Sequence, residues 1–147
     1  MIHTSTSGSP EETVLLGAEL AASLEPGDVV ALSGELGSGK TTFVQGLARG
    51  LGVAQFVNSP TFKIVNELEG RIPLYHLDFY RINSEEELIN LGIEHYLFSR
   101  GVAVIEWADR YPHFLPKDAF RVEIECPEET SRKISINHPT HRESVSY

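Results

Sequence analysis

Residues 34–42 read GELGSGKTT and combine the residue types that bind a triphosphate. Glycines allow the backbone to curl so that several N–H groups point inward toward one anion. Lys40 could then reach the β- and γ-phosphates, and the hydroxyl of Thr41 could ligate Mg²⁺. The segment satisfies the G-x-x-x-x-G-K-[ST] pattern of a phosphate-binding loop. It therefore predicts a nucleotide site, the alternative being a glycine-rich turn that matches by chance.

Two carboxylates could complete such a site for hydrolysis, which also needs an acid near the magnesium and a group that orients water. Glu106 follows 102–105, a run that is apolar throughout and typical of a strand inside a parallel sheet. Asp78 follows 74–77, which has a more alternating character. Glu106 is therefore the better candidate for the magnesium, while either acid could position the attacking water. The alternative for each is a strand-end acid that caps a neighbouring loop.

A third feature is the loop 58–61, which reads NSPT. The hydroxyl of Thr61 could sense the γ-phosphate and magnesium, as hydroxyls of switch loops do in proteins with a phosphate-binding loop. The residue types alone favour an ordinary Ser/Thr turn before a strand. For two further residues near the predicted site we favour structural interpretations: Trp107 as a packing residue and His76 as a strand histidine rather than a catalytic base.

Local signals predict the elements that position these residues. A strand over 28–33 leads into the loop, and a helix over 40–51 follows it, with the positive end of its dipole directed at the phosphates. An earlier helix begins after a Ser9 cap, with Pro10 in its first turn and Glu12 completing a capping box, and should end near 25–27. The residues before that cap are expected to form a loose, polar start.

The rest of the chain predicts a mixture of strands and one short helix. We expect a hairpin from 62–68 and 71–78, a helix opened by the capping box at 84–87, a strand at 102–105, and antiparallel strands at 120–125 and 132–136. A polar tail over about 138–147 follows. We therefore predict a single domain over 1–147 of the α/β class: a P-loop NTPase-like three-layer domain with a mixed, mainly parallel central sheet.

Composition limits the classes of partner. The chain has 147 residues and a net charge of -9, from 12 Lys and Arg against 21 Asp and Glu. An acidic surface repels polyphosphate backbones, which disfavours extensive direct contact with nucleic acid. Cys126 is the single cysteine, which excludes an internal disulfide and suits a reducing compartment. No apolar run approaches bilayer length and the N-terminus lacks a signal-peptide pattern, so we expect a cytoplasmic protein without membrane contact.

The motifs that are missing limit which nucleotide the site could bind and which group could accept the phosphate. No asparagine is followed by lysine, so the Asn-Lys-x-Asp motif of guanine-specific proteins is absent and ATP is favoured over GTP. The arginines are scattered singly, without the arginine-bearing lid usual in small-molecule kinases. Water is therefore the favoured acceptor, which predicts an ATPase. A small-molecule or nucleoside kinase and a non-hydrolysing nucleotide-binding partner remain alternatives.

An ordered set of motifs resembles the TsaE family, formerly YjeE, the ATPases of bacterial tRNA threonylcarbamoyladenosine biosynthesis: GELGSGKTTF, SPTF, YHLDFYRI, EELINLGIEHYL, VIEWADR and a later LP. The likeness covers roughly 12–136, and the ordered set is far more specific than the glycine loop alone. Glu35 stands where the family often has Asp, and Phe79 where it often has Leu. The first ten residues and the tail match weakly.

The resemblance implies an activity and partners. Members of the family bind ATP and Mg²⁺, hydrolyse slowly alone, and act with TsaB and TsaD. Those two proteins transfer threonylcarbamoyl to the adenosine next to the anticodon of tRNAs that read codons starting with A. The chain would therefore contact tRNA only indirectly, through the complex.

The resemblance also implies roles for individual residues. Magnesium would be served by Thr41 and Glu106, and Asp78 would be a catalytic or switch carboxylate. Thr61 gains weight as a switch residue. Thr13 and Arg132 are weaker candidates for lining the adenine. The phosphates would be held by one consecutive stretch: Gly37, Ser38, Gly39, Lys40, Thr41 and Thr42.

Overall fold

The computed structural model describes residues 2–35, 37–55, 57, 65–97 and 100–139. The strands in these ranges are β1 Ile2–Ser7, β2 Val29–Gly34, β3 Val65–Leu68, β4 Leu74–Asp78, β5 Val102–Glu106, β6 Phe120–Glu128 and β7 Ser131–Asn137. The helices are α1 Pro10–Ala21, α2 Lys40–Gly50, α3 Glu85–Asn90 and α4 Ile93–Leu97, with 3₁₀ turns at Ala108–Arg110 and Pro112–Phe114. No helix within the described ranges is long and apolar enough to cross a membrane.

The described strands form one sheet in the order β1-β7-β6-β2-β5-β4-β3. β6, β2, β5 and β4 pair in parallel, whereas the pairs β1–β7, β7–β6 and β3–β4 are antiparallel. β1 therefore runs in the same direction as the central four, so five of the seven strands point one way. The predicted mixed, mainly parallel sheet is confirmed. The carboxyl ends of β2, β4 and β5 meet at one edge, which is where α/β proteins of this kind bind ligands.

Apolar side chains cover both faces of this sheet and make the three predicted layers. On one face, Val30 of β2 packs in a cluster with Phe43 of α2. On the other face, Leu77 of β4 and Ile105 of β5 pack in a cluster with Leu88 of α3. Neighbouring residues of a strand point to opposite faces, so a strand covered on both sides is apolar throughout. β5 is covered on both sides: all five of its residues are buried, and the first four are apolar.

Two predicted helix starts are confirmed by their caps. The side chain of Ser9 accepts a hydrogen bond from the backbone N–H of Glu12 at 3.2 Å. The side chain of Ser84 accepts one from the backbone N–H of Glu87 at 3.3 Å. Each cap satisfies an N–H group that has no partner inside its helix, and the first of them begins the helix that supports α2.

The prediction of a loose N-terminus is wrong, because residues 2–7 form the edge strand β1. Ile2 pairs with Asn137 and Ser7 pairs with Arg132 in antiparallel register. Most side chains of β1 are exposed and polar, so the alternation that marks a half-buried strand is missing. Backbone hydrogen bonds to β7 hold the strand instead. The helix α4 was also not predicted, because its five residues are too few to show a helical period.

The start of the predicted tail packs against the sheet. The ring of His138 lies edge-on to Phe120, with ring centroids 5.4 Å apart, and to His3, with centroids 5.2 Å apart. Burial lowers the pKa of His138, and the neighbouring His3 lowers it further. Residues 140–147 lie outside the described part of the chain.

Glycines let α1 and α2 approach each other closely. A Cβ placed on Gly17 of α1 would lie 2.4 Å from the carbonyl oxygen of Phe43, and one on Gly46 of α2 would lie 2.1 Å from that of Val14. Both distances are far below van der Waals contact, and the obstacles are backbone atoms that cannot rotate away. The crossing matters for the site because the first turn of α2 carries Lys40 and Thr41.

We expect Gly46→Ala to destabilise the fold by about 1–3 kcal/mol, the usual effect of overpacking a tight contact. Alanine is the better helix former by up to about 1 kcal/mol, so a loss of stability would show that the crossing outweighs helix propensity. Urea denaturation followed by circular dichroism measures the change. Arg49→Ala, at an exposed position on the same helix, is the control and should change little. An unchanged or higher midpoint for Gly46→Ala would contradict the close crossing.

Candidate functional site

The glycine loop connects the carboxyl end of β2 to the first turn of α2. Gly37 and Gly39 have φ angles of 77° and 102°, which favour glycine over other residues. A Cβ on either of them would meet no atom within 4 Å, so the space over the loop is open. Gly39 occupies the cap position of α2 without a side-chain cap, which leaves the first N–H groups of the helix to an anion.

Lys40 lies across this loop. Its ammonium donates hydrogen bonds to the carbonyl oxygens of Gly34 at 2.7 Å and Glu35 at 2.8 Å, and it lies 4.0 Å from the centroid of the Trp107 ring. The side chain is only 5% exposed. Burial lowers the pKa of Lys40, and the negative charge of Glu106 opposes this shift in part. A buried ammonium held by carbonyls and an aromatic face is ready to exchange these partners for an anion.

Thr41 and Glu106 meet although 65 residues separate them. The Thr41 hydroxyl donates toward both carboxylate oxygens of Glu106, at 3.2 Å each. A hydroxyl has one hydrogen and two lone pairs, so the oxygen of Thr41 can still bind a cation. Glu106 is 3% exposed at the end of β5, and its Oε2 also lies 2.5 Å from Nε2 of His76.

Asp78 lies beside Glu106 at the end of the neighbouring strand. The two acids are directly paired in the parallel register of β4 and β5. Oδ1 of Asp78 accepts a hydrogen bond from the backbone N–H of Tyr80 at 2.9 Å, which orients the carboxylate. Burial lowers the pKa of Lys40, and the negative charges of Glu106, Asp109 and Asp78, in that order, partly oppose this shift, so all three carboxylates belong to the electrostatic surroundings of its ammonium.

A cavity of about 350 Å³ lies beside the loop. Its lining includes six of the predicted binding residues: Thr13, Gly37, Ser38, Gly39, Thr42 and Arg132. The side-chain oxygen of Ser38 is buried and has no hydrogen-bond partner within the described residues. Because buried hydroxyls are nearly always paired, this oxygen is suited to a bound ligand or a water molecule.

Arg132 and Thr13 both line the cavity. From β7, the guanidinium of Arg132 donates to the carbonyl oxygen of Ser38 at 2.9 Å and to that of Gly37 at 3.5 Å, which fastens the loop to the sheet. From α1, the hydroxyl of Thr13 lies 2.7 Å from that of Ser7. The contacts of Arg132 join parts of the chain 94 and 95 residues apart, whereas the Thr13–Ser7 contact is local and joins α1 to the end of β1.

The structure thus brings the predicted residues together, apart from Thr61, which lies outside the described residues. His76 lies buried in β4, as the interpretation as a strand histidine expects, but its contact with Glu106 was not predicted. The missed signal is the spacing His-x-Asp, because residues two apart on a strand share a face. Trp107, predicted to pack beside the site, contacts the Lys40 ammonium directly and has a positive φ of 59°.

Comparison with known proteins indicates the family of the chain. The family model for the threonylcarbamoyl adenosine biosynthesis protein TsaE matches residues 7–134. A relative from Bacillus subtilis (strain 168), named tRNA threonylcarbamoyladenosine biosynthesis protein TsaE, is 43% identical over 129 residues, which are 87% of this chain and 80% of the relative. A protein of the same name from Treponema pallidum (strain Nichols) is 38% identical over 130 residues, which are 88% of this chain and 96% of that protein.

The fold is shared as well. The solved structure of YdiB from Bacillus subtilis superposes on this chain with a TM-score of 0.85 and 34% sequence identity, covering 99% of this chain and 90% of that one. The region matched by the family model contains the glycine loop, both strand-end acids and Arg132. The chain therefore belongs to the TsaE family of tRNA threonylcarbamoyladenosine biosynthesis proteins.

Proposed function

We propose that the chain is a Mg²⁺-dependent ATPase subunit that acts with TsaB and TsaD to form the threonylcarbamoyl group on the tRNA adenosine next to the anticodon. The observation that carries this proposal is the contact between the Thr41 hydroxyl and the Glu106 carboxylate at 3.2 Å, beside the open glycine loop. This pairing of a loop hydroxyl with a strand-end acid is the arrangement that holds magnesium in proteins that hydrolyse nucleotides.

The residues present fit ATP and Mg²⁺. The space over Gly37 and Gly39 is open, the Ser38 hydroxyl is buried without a partner among the described residues, and oxygen ligands suit magnesium. No group of three or more His, Cys, Asp and Glu side chains in the described ranges could hold a metal by itself. Magnesium commonly relies on substrate phosphates and water for its other ligands. When bound, it would neutralise charge on the phosphates.

Each side chain then has a defined task. Lys40 would exchange the carbonyl oxygens of Gly34 and Glu35 for phosphate oxygens. Thr41 would bind the cation through a lone pair of its oxygen while its O–H group still donates to Glu106. Both oxygens of Glu106 contact Thr41, the other proposed magnesium ligand, and one of them also contacts His76. We therefore assign Glu106 to the magnesium and Asp78 to orienting the water. Thr61 stays a proposed switch residue.

The base would lie in the cavity lined by Thr13, Thr42 and Arg132. Its volume of about 350 Å³ is at the lower end of the range for small-molecule sites. The net charge of -9 supports indirect contact with tRNA, because TsaB and TsaD rather than this chain would neutralise the phosphate backbone. We propose that the protein works in the cytoplasm, where its partners and tRNA would be.

The test is phosphate release from ATP with and without the cognate TsaB and TsaD proteins. We expect slow release by the chain alone and faster release when both partners are added, with Mg²⁺ required throughout. ATP consumption that depends on a small metabolite would favour a kinase instead. Tight ATP binding without phosphate release in the presence of both partners would favour a non-hydrolysing subunit.

A further inference from the structure

We propose that His76 is a positioning residue, which holds the Glu106 carboxylate in the orientation that faces Thr41. This inference rests on the proposed function, because Glu106 is there assigned to the magnesium. Nε2 of His76 lies 2.5 Å from Oε2 of Glu106, and His76 is fully buried. We assign the hydrogen to Nε2, because an ionised carboxylate only accepts hydrogen bonds.

Glu106 needs a contact that fixes the orientation of its carboxylate. Its side chain has three rotatable bonds, so fixing one orientation costs conformational entropy. Thr41 contacts both carboxylate oxygens at the same distance, 3.2 Å, and so does not distinguish them. His76 contacts Oε2 and thereby fixes which oxygen points back toward β4. Removing the ring should therefore release the carboxylate without removing it.

The choice of histidine is not explained by packing. Nδ1 of His76 is buried and has no hydrogen-bond partner among the described residues. A buried nitrogen without a partner is unfavourable, and an apolar side chain would fill the same space without it. What an apolar side chain cannot provide is the Nε2–H bond to Glu106, so this bond is the feature that requires histidine.

The order of the strands places His76 beside Glu106. His76 and Asp78 are two residues apart on β4 and share a face, and β4 is the parallel neighbour of β5, which ends in Glu106. One face of one strand thus supplies both the ring that orients Glu106 and the second carboxylate. Groups that orient metal-binding side chains commonly change metal affinity or activity by about 10- to 100-fold when they are replaced.

Three substitutions of His76 distinguish the effect of its hydrogen bond to Glu106 from the effect of its side-chain volume. In His76→Gln the side-chain amide nitrogen falls near the position of Nε2 and can donate to Glu106. In His76→Asn it falls near Nδ1 and cannot, and His76→Leu provides no donor. The measurement is the Mg²⁺ concentration that gives half-maximal tightening of ADP binding, determined by calorimetry on the full chain. Binding without Mg²⁺ and the unfolding temperature are recorded for every variant.

We expect ADP binding without Mg²⁺ to be unchanged, and the half-saturating Mg²⁺ concentration to rise about 10- to 100-fold in the Leu and Asn variants but little in the Gln variant. Folded Leu and Asn variants with the wild-type Mg²⁺ dependence would overturn the role of His76 and leave the proposed function standing. A wild-type protein whose nucleotide binding ignores Mg²⁺ would overturn both.

A second measurement requires no His76 variant. The buried Nε2–H bonded to a carboxylate should give a slowly exchanging, downfield proton signal in the NMR spectrum of the wild type. This signal should shift or vanish in Glu106→Gln. A wild-type spectrum without it, or an unchanged signal in Glu106→Gln, would overturn the proposal even if the His76 variants fail to fold.

Discussion

Lys40→Met should weaken nucleotide binding, and lower hydrolysis further, while the fold stays at least as stable as the wild type at neutral pH. The ammonium is the charged group closest to the loop carbonyls, and a hydrogen bond to a charged group contributes about 1.5–3 kcal/mol. Removing it should weaken ATP binding by about 10- to 100-fold, since 1.4 kcal/mol corresponds to a factor of ten. Turnover should fall further, because lysine also stabilises charge in the transition state.

The stability part follows from the lowered pKa of Lys40, which burial causes. Between the lowered pKa of the folded state and the usual 10.5, the unfolded chain binds more protons than the folded one. The wild type should therefore become more stable as pH rises through that window. Below it, the charged lysine works against folding. Methionine removes this penalty, so any advantage of the variant should shrink as the solution becomes alkaline.

Thermal unfolding at a series of pH values measures this difference, and calorimetry with ADP measures binding. Lys117→Met is the matched control, because this lysine is exposed and should change neither quantity. A Lys40→Met protein that still hydrolyses ATP at the wild-type rate would refute the assignment of the loop. A variant that unfolds well below both proteins at neutral pH would show that the bonds to Gly34 and Glu35 outweigh the cost of burial.

The second large effect concerns Glu106. We expect Glu106→Gln to reduce Mg²⁺-dependent ATP hydrolysis by about 10²-fold or more, because a neutral amide cannot neutralise the cation as a carboxylate does. ADP binding without Mg²⁺ should stay near the wild-type value, since Lys40 and the loop N–H groups are untouched. The two substitutions therefore predict different patterns: Lys40→Met weakens nucleotide binding as well as hydrolysis, whereas Glu106→Gln lowers hydrolysis and leaves binding without Mg²⁺ near the wild-type value.

The amide fits the space of the carboxylate. Its oxygen can accept from the Thr41 hydroxyl, and its nitrogen can donate to His76 if the ring moves its hydrogen to Nδ1. Single-turnover hydrolysis and nucleotide binding, measured with and without Mg²⁺, separate the two effects. Asp109→Asn is the control, because this exposed acid follows Glu106 closely in the chain and also influences Lys40. Equal losses of hydrolysis in Glu106→Gln and Asp109→Asn would indicate a general effect of negative charge rather than a specific role of Glu106.

Much of this site could be predicted from short stretches of contiguous residues. The glycine loop matches an eight-residue pattern whose backbone preferences and flanking elements are local, so Lys40 and Thr41 could be nominated from the sequence. Asp78 and Glu106 could be nominated for a similar reason, because an acid that ends an apolar run marks the carboxyl end of a buried strand. The caps at Ser9 and Ser84 are likewise short-range signals.

Other features depend on strand order, which no local pattern specifies. The Thr41–Glu106 contact spans 65 residues, the His76–Glu106 contact 30, and the Arg132–Ser38 contact 94. Each exists because the order β7-β6-β2-β5-β4 brings those strands beside the glycine loop. β1 also depends on strand pairing. Its residues are mostly polar, and they form a strand through backbone hydrogen bonds to β7. Spacing along the chain thus indicates which groups could bind a nucleotide. Which carboxylate contacts Thr41, and that His76 contacts the same carboxylate, could not be predicted from that spacing, because pairing between distant strands sets those distances.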